Sequence, residues 1–277
     1  MVLFRDVNKA SADVINRDFT HNVPIDLEVK SAAAPFSFTQ CATITSAVAA
    51  NSTVRFADKA FSAEGKFFTN GNSTFDLKYT KADFYKGTLL LNGRVDKKGT
   101  AFTPEVAADF SMKSAHAKFS LFPTSMTFNG SALFCLSKFK LGAEAAGSCD
   151  LSKVTFGLGG NYSNGPMTFS VKTAPAGGTS LGKVIGNVHA KKDSVEIGAE
   201  MSYGLTDSKT SLAFGGRMQV NKETAVKAKL ADDGKVAMSL SHTFSPLISA
   251  TMGAQFDGLN LGNSEALKYG AKVTFNC

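Results

Sequence analysis

The chain has 277 residues, with 30 Lys and Arg against 23 Asp and Glu, for a net charge of +7. Charged residues make up 19% and hydrophobic residues 43%, which excludes a disordered chain. No apolar run approaches the ~18 residues that a spanning helix needs, which excludes a helical membrane bundle.

The N-terminus has no apolar h-region, so no secretory leader is expected. Residues 3–19 read LFRDVNKASADVINRDF. At ~100° per residue Leu3, Phe4, Val7, Ala10, Val14 and Ile15 share one arc, with Arg5, Asp6, Lys9, Asp13, Asn16 and Arg17 opposite. This predicts one amphipathic helix that ends near Asp18. Its balanced charge is unlike the Lys- and Arg-rich face of a membrane-surface helix. It could pack on a core as an ordinary surface helix or lie against a barrel wall.

From Ile25 onward the period changes from 3.6 to 2. Ile25, Leu27 and Val29 alternate with Asp26, Glu28 and Lys30, and the same rhythm returns to the end of the chain, in Leu267, Tyr269, Ala271, Val273 and Phe275. Sixteen segments alternate clearly. Three weaker ones lie at Val54–Phe56, Ala60–Phe68 and Val184–Ala190, for about nineteen strands. Turn signals separate many of them, at Asn70-Gly71-Asn72, Lys97-Lys98-Gly99, Ser163-Asn164-Gly165, Asp232-Asp233-Gly234 and Asp257-Gly258. A phase slip at Ser137-Lys138 predicts a tight turn. No linker divides the chain, so residues 1–277 are read as a single domain, with 1–20 as helix and 23–277 as barrel. The loosest stretch is Thr173 to Gly182.

No catalytic arrangement stands out. His21, His116, His189 and His242 are isolated from nucleophile-like motifs, and there is no G-x-S-x-G or Walker loop. Cys41, Cys135, Cys149 and Cys277 form no C-x-x-C pair and read as scattered thiols. The glycines of Leu158-Gly159-Gly160-Asn161 lie inside a strand pattern, where they relieve crowding rather than cradle phosphate. The chain is therefore read as no enzyme, with no cofactor and no metal. Its cationic residues are dispersed, which argues against nucleic acid as a partner and suits a solvated face or an anion-attracting lumen.

About nineteen amphipathic strands close a barrel too wide to fill with side chains. Its polar faces then meet water inside and its apolar faces meet lipid, with all backbone groups paired by closure. The fold class expected is all-β, a transmembrane β-barrel with an N-terminal amphipathic helix. A soluble all-β binding protein is the alternative from another class, with its apolar faces packed on each other.

Three regions resemble the mitochondrial outer-membrane porins, the voltage-dependent anion channel family. They are Phe4-Arg5-Asp6-Val7 through Asp13–Phe19, then Ile25-Asp26-Leu27-Glu28-Val29-Lys30-Ser31, and the end of the chain. There, Ala228-Lys229-Leu230-Ala231-Asp232 with Ala237-Met238-Ser239-Leu240 matches the second half of the family signature. Asn221 and Lys222 depart from its first half. Lys268-Tyr269-Gly270-Ala271-Lys272-Val273-Thr274-Phe275 is similar to the β-signal of that membrane's barrels. The resemblance implies an integral protein of the mitochondrial outer membrane, with the helix in the lumen. It implies a voltage-gated, weakly anion-selective diffusion channel for small metabolites, nucleotides and ions. The protein-import pore of the same membrane is the nearer alternative.

The expected pore-lining residues, on the polar parity of their strands, are Lys30, Lys78, Arg94, Lys118, Lys138, Lys140, Lys227, Lys229, Lys268 and Lys272. Asp26, Asp76 and Glu196 offset part of their charge. The expected gating helix uses Leu3, Val7, Ala10 and Val14 toward the wall and Arg5, Lys9, Asp13 and Arg17 toward the aqueous path. By resemblance the assembly signal is Lys268, Gly270, Val273 and Phe275, read by the outer-membrane assembly machinery. The other partners implied are membrane lipid and small anions and nucleotides in transit, with homo-oligomerisation left open. Two family features are missing: the glycine-rich hinge, since Asp18 to Pro24 contains no glycine, and the Gly-Leu-Lys nucleotide motif. No membrane-facing glutamate is assigned, because the phase of Glu64 is not fixed by sequence.

Overall fold

The computed structural model describes residues 4–84, 87–95, 102–175, 181–260 and 266–277. Leu3, the Lys97-Lys98-Gly99 turn and residues 176–180 of the loose stretch lie outside the described residues, as do the side chains of Arg5 and Arg94. After a 3-10 turn at Phe4–Asp6 and helix α1 at Lys9–Asn16 come nineteen strands. They are β1 Ile25–Ala33, β2 Phe36–Ile44, β3 Val48–Ala57, β4 Phe61–Phe68, β5 Ser73–Phe84, β6 Gly87–Val95, β7 Phe102–Ser111, β8 Ala115–Phe122, β9 Thr127–Leu136 and β10 Phe139–Ser148. The second half holds β11 Val154–Asn164, β12 Met167–Pro175, β13 Leu181–Lys192, β14 Val195–Gly204, β15 Thr210–Gln219, β16 Thr224–Ala231, β17 Lys235–Ser245, β18 Ile248–Asp257 and β19 Leu267–Asn276. The three weakly patterned segments are β3, β4 and β13.

Each strand pairs antiparallel with its neighbour in the chain, and β19 returns to pair with β1 in parallel. When nineteen strands alternate in direction, the first and the last run the same way, which makes this one pairing parallel. Closure leaves no edge strand with unpaired backbone groups. Strands of this length match the ~9–11 residues that cross a bilayer with tilt.

Alternation sorts the wall. Phe36 and Phe38 on β2, Phe75, Leu77 and Tyr79 on β5, and Ile197 and Met201 on β14 all remain exposed. The buried wall residues of the opposite parity are mostly polar, including Ser120, Ser170, Asn187, Ser202 and Ser239. A soluble sandwich would show the reverse, so the soluble alternative does not hold. An apolar belt of this extent is stable only against lipid. Tight turns fit the signals read from sequence: Gly71 and Gly234 adopt φ of 79° and 76°, and Ser137 turns β9 into β10 with φ of 53°. The Ser163-Asn164-Gly165 signal turns one residue late, because Asn164 still pairs with Met167.

The N-terminal segment is not one helix. The Val7 N–H donates to Phe4 O at 3.1 Å, a three-residue turn, and Asn8 leaves the helical region with ψ of 11° before α1 begins. Phe4, Val7, Ser11, Val14 and Ile15 are buried and span about 100° of a helical wheel. Ala10, expected against the wall, is exposed. It lies ~40° beyond this narrower arc, and Ser11 takes its place.

Candidate functional site

The N-terminal segment crosses the inner wall over three cross-strand glycine pairs. Gly142 and Gly159 face each other on β10 and β11, Gly198 and Gly215 on β14 and β15, and Gly253 and Gly270 on β18 and β19. Phe4 sits on the first pair. A Cβ on Gly142 would stand 2.7 Å from its ring, and one on Gly159 3.3 Å. Leu133 and Val7 complete this small core, and the Lys172 ammonium lies 4.8 Å from the Phe4 ring centroid. Helix α1 sits on the second pair. A Cβ on Gly198 would meet Ser11 Oγ at 3.2 Å, and one on Gly215 would meet Ile15 Cα at 3.3 Å. The Thr20–Val23 backbone crosses the third pair. A Cβ on Gly270 would overlap the carbonyl oxygens of Thr20 and Val23, and one on Gly253 would stand 2.9 Å from the Thr20 nitrogen. Only glycine lets backbone approach backbone this closely.

Polar wall residues fasten the same path. The Asn161 amide donates to Val7 O at 3.1 Å, and Ser11 donates to Ala199 O at 3.2 Å. Lys227 Nζ donates to Asp13 O, Arg17 O and Asp18 Oδ2 at 3.2, 3.1 and 3.2 Å. Asp13 O also accepts the Arg17 N–H at 3.4 Å, so Lys227 adds a second donor there. It reaches the Arg17 carbonyl and the Asp18 carboxylate just past the helix, where a cation meets the negative end of the helix dipole. Ser239 donates to Asp18 O at 2.7 Å, and Thr20 to Gly270 O at 3.0 Å. Asp18 turns the chain with φ of 63°, a conformation that Asp tolerates better than most residues. The glycines absent from the linker are thus found in the wall beneath it.

The structure therefore reassigns some predicted pore residues. Lys227, expected to line the pore, is buried beneath the end of α1, where its charge is bound to the segment. Lys138 lies in the β9–β10 turn at the rim and donates to Asn164 at 2.8 Å, because the phase slip removes it from the wall. Lys229 lies on the wall beside the helix, 3.3 Å from Asn16 Oδ1. Lys30 and Lys272 hold Glu28 at 3.1 and 2.9 Å. Lys78, Lys118, Lys140 and Lys268 share the parity of the buried polar wall, and among the described residues they form no ion pair. Arg94 lies on β6, opposite Asp76 and Thr103. On the helix, Lys9 pairs with Asp13 at 3.2 Å and Arg17 lies 3.9 Å from the same carboxylate. The side chains of Lys9 and Arg17 are largely exposed, on the side away from the wall, while Val7 and Val14 are buried against it.

In the assembly-signal strand, Gly270 is buried under the linker, Lys268 and Tyr269 are exposed, and Val273 and Phe275 share the outer parity. Glu64 lies opposite Arg55 and Asp76, on the inner face. His116 pairs with Asp109 at 2.8 Å, and His189 lies 3.9 Å from Glu196. His242 is on the outer parity, bonded through Nδ1 to Thr224 at 2.9 Å. Sequence reasoning missed the glycine track. Its signal was glycine recurring at inner parity on β10, β11, β14, β15, β18 and β19, a regularity hidden because the strands are read one at a time.

A family model described as eukaryotic porin matches residues 1–270. The mitochondrial outer membrane protein porin of Candida albicans is 24% identical, covering 93% of each chain. The non-selective voltage-gated ion channel 1 of Saccharomyces cerevisiae is 25% identical, covering 99% of this chain and 98% of its own. A probable voltage-dependent anion-selective channel of Caenorhabditis elegans is 25% identical over 32% of this chain and 30% of its own. Among solved structures, a mutant of the Rhodopseudomonas blastica porin superposes with a TM-score of 0.54 at 11% identity, covering 76% of this chain and 90% of its own. That likeness bears on the fold alone.

Proposed function

This chain belongs to the eukaryotic porin family, and on that premise we propose that it is a voltage-gated, weakly anion-selective diffusion channel of the mitochondrial outer membrane. It passes small metabolites, nucleotides and ions through its lumen. The observation that carries this is the sorting of the wall into a lipid-compatible exterior and a charged interior around a closed ring of strands. No bond is made or broken. Basic groups such as Lys118 and Lys140 raise the local concentration of anions, while salt screens each charge within ~10 Å and keeps the preference modest. The N-terminal segment, seated along one side, narrows the path. Its exposed charges, Lys9, Asp13 and Arg17, are the groups on which a transmembrane voltage acts. We read the chain as a conduit, with no catalytic step.

Flux into proteoliposomes tests this reading. Nucleotide-sized anions should enter and proteins should not. A vesicle that stays sealed to both, with assembled barrel in its membrane, would contradict it.

A further inference from the structure

Every antiparallel pairing in this barrel joins strands adjacent in the chain, so the length of chain between them limits its register. The β1–β19 pairing joins residues about 250 positions apart and has no turn. A slip of two residues there keeps every side chain on its own face, so the apolar alternation does not choose between registers. We propose that a lumenal charge set, Asp26, Glu28, Lys30 and Lys272, together with Gly270, specifies the register in which the barrel closes.

Lys272 stands opposite Asp26 across the seam and leans along the strand toward Glu28, 3.7 Å from the first carboxylate and 2.9 Å from the second. Glu28 also receives Lys30 at 3.1 Å and the Thr274 hydroxyl at 3.3 Å. If β19 slips so that Lys272 stands opposite Glu28, the same lean carries it toward Lys30, a like charge. If β19 slips the other way, Lys272 stands beside Pro24 and Glu28 loses it. Gly270 gives a second, steric criterion. Either slip puts Lys268 or Lys272 beneath the Thr20–Val23 crossing, where even a Cβ overlaps two carbonyl oxygens. The native register alone satisfies both. Opposite charges across a strand pair stabilise it, and like charges directly opposite destabilise it.

The test uses the full chain with Cys41, Cys135, Cys149 and Cys277 changed to Ser, imported into isolated mitochondria. Leu27→Cys with Val273→Cys reports the native register, because these residues are directly opposite. Val29→Cys with Val273→Cys reports a slip. The native pair should cross-link in excess. Lys272→Glu should lower the ratio of native to slipped cross-link by about tenfold, the effect of two or three lost pairs made repulsive. If it instead blocks assembly, loss of alkali-resistant barrel is the corresponding readout. Inverting the whole set, with Asp26→Lys, Glu28→Lys, Lys30→Glu and Lys272→Glu, should restore the native ratio or the assembled barrel. An unchanged ratio in the Lys272→Glu chain, or failure of the inversion to rescue, would overturn the proposal.

Discussion

Lys227 places its ammonium 3.1 Å from the carbonyl oxygen of Arg17, so a wall residue of β16 closes the C-terminus of α1. A lysine that looks like a pore charge in sequence is therefore an anchor. Lys227→Met should free the linker while leaving the strands paired. Bonds from a charged donor contribute about 1.5–3 kcal/mol each, so trypsin cleavage after Arg17 should accelerate by at least about tenfold. Equal cleavage rates in mutant and parent would show that Lys227 does not hold the segment.

The glycine track makes a steric prediction. Gly215→Val puts methyl groups where the Ile15 backbone lies, since a Cβ alone stands 3.3 Å away. Overpacking of this kind costs about 1–3 kcal/mol, enough to lift α1 from the wall. The substitution points into the lumen and suits a strand, so the barrel should still assemble. A spin label on Asn16, measured against one on the rim, should show a longer and broader distance distribution. An unchanged distribution would mean that the helix is not seated on Gly215.

Selectivity should follow the free wall lysines rather than the anchored one. Lys118→Glu with Lys140→Glu should shift the reversal potential in a salt gradient toward cations, changing the permeability ratio by about twofold, because each charge is screened within ~10 Å. Lys227→Met should shift it far less. Equal shifts would place Lys227 in the conducting path.

His21 lies in the linker, with its Nδ1 buried and without a hydrogen-bond partner among the described residues. Burial holds its pKa below the ordinary 6.5, and the Lys229 and Lys268 charges lower it further. The docked linker thus binds a proton less readily than the released one. Its docking is complete above about pH 6.5 and weakens as pH falls below that value. Protease accessibility of the linker should rise between pH 7.5 and pH 5.5, and His21→Gln should flatten the change. A rise of the same size in the His21→Gln chain would assign the effect to another group.

The barrel was legible because lipid outside and water inside impose a strict period of two, visible in Phe75, Leu77 and Tyr79 against Asp76 and Lys78. The seam was legible in part, since nineteen alternating strands must close in parallel. The site was less so. Whether Lys227 meets water or a helix depends on where residues 13–18 cross the lumen, and that path is set by glycines on six strands. The start of the helix was misread because the Val7–Asn8 break is a backbone feature with no proline or glycine to mark it.

Single-channel recording of the purified full-length protein in a planar bilayer tests the central claim most directly. It should give large conductance steps, a reversal potential in a salt gradient that modestly favours anions, and closure to lower conductance as voltage rises at either polarity. A silent bilayer containing assembled barrel, or a strong cation preference unaffected by Lys118→Glu with Lys140→Glu, would contradict it.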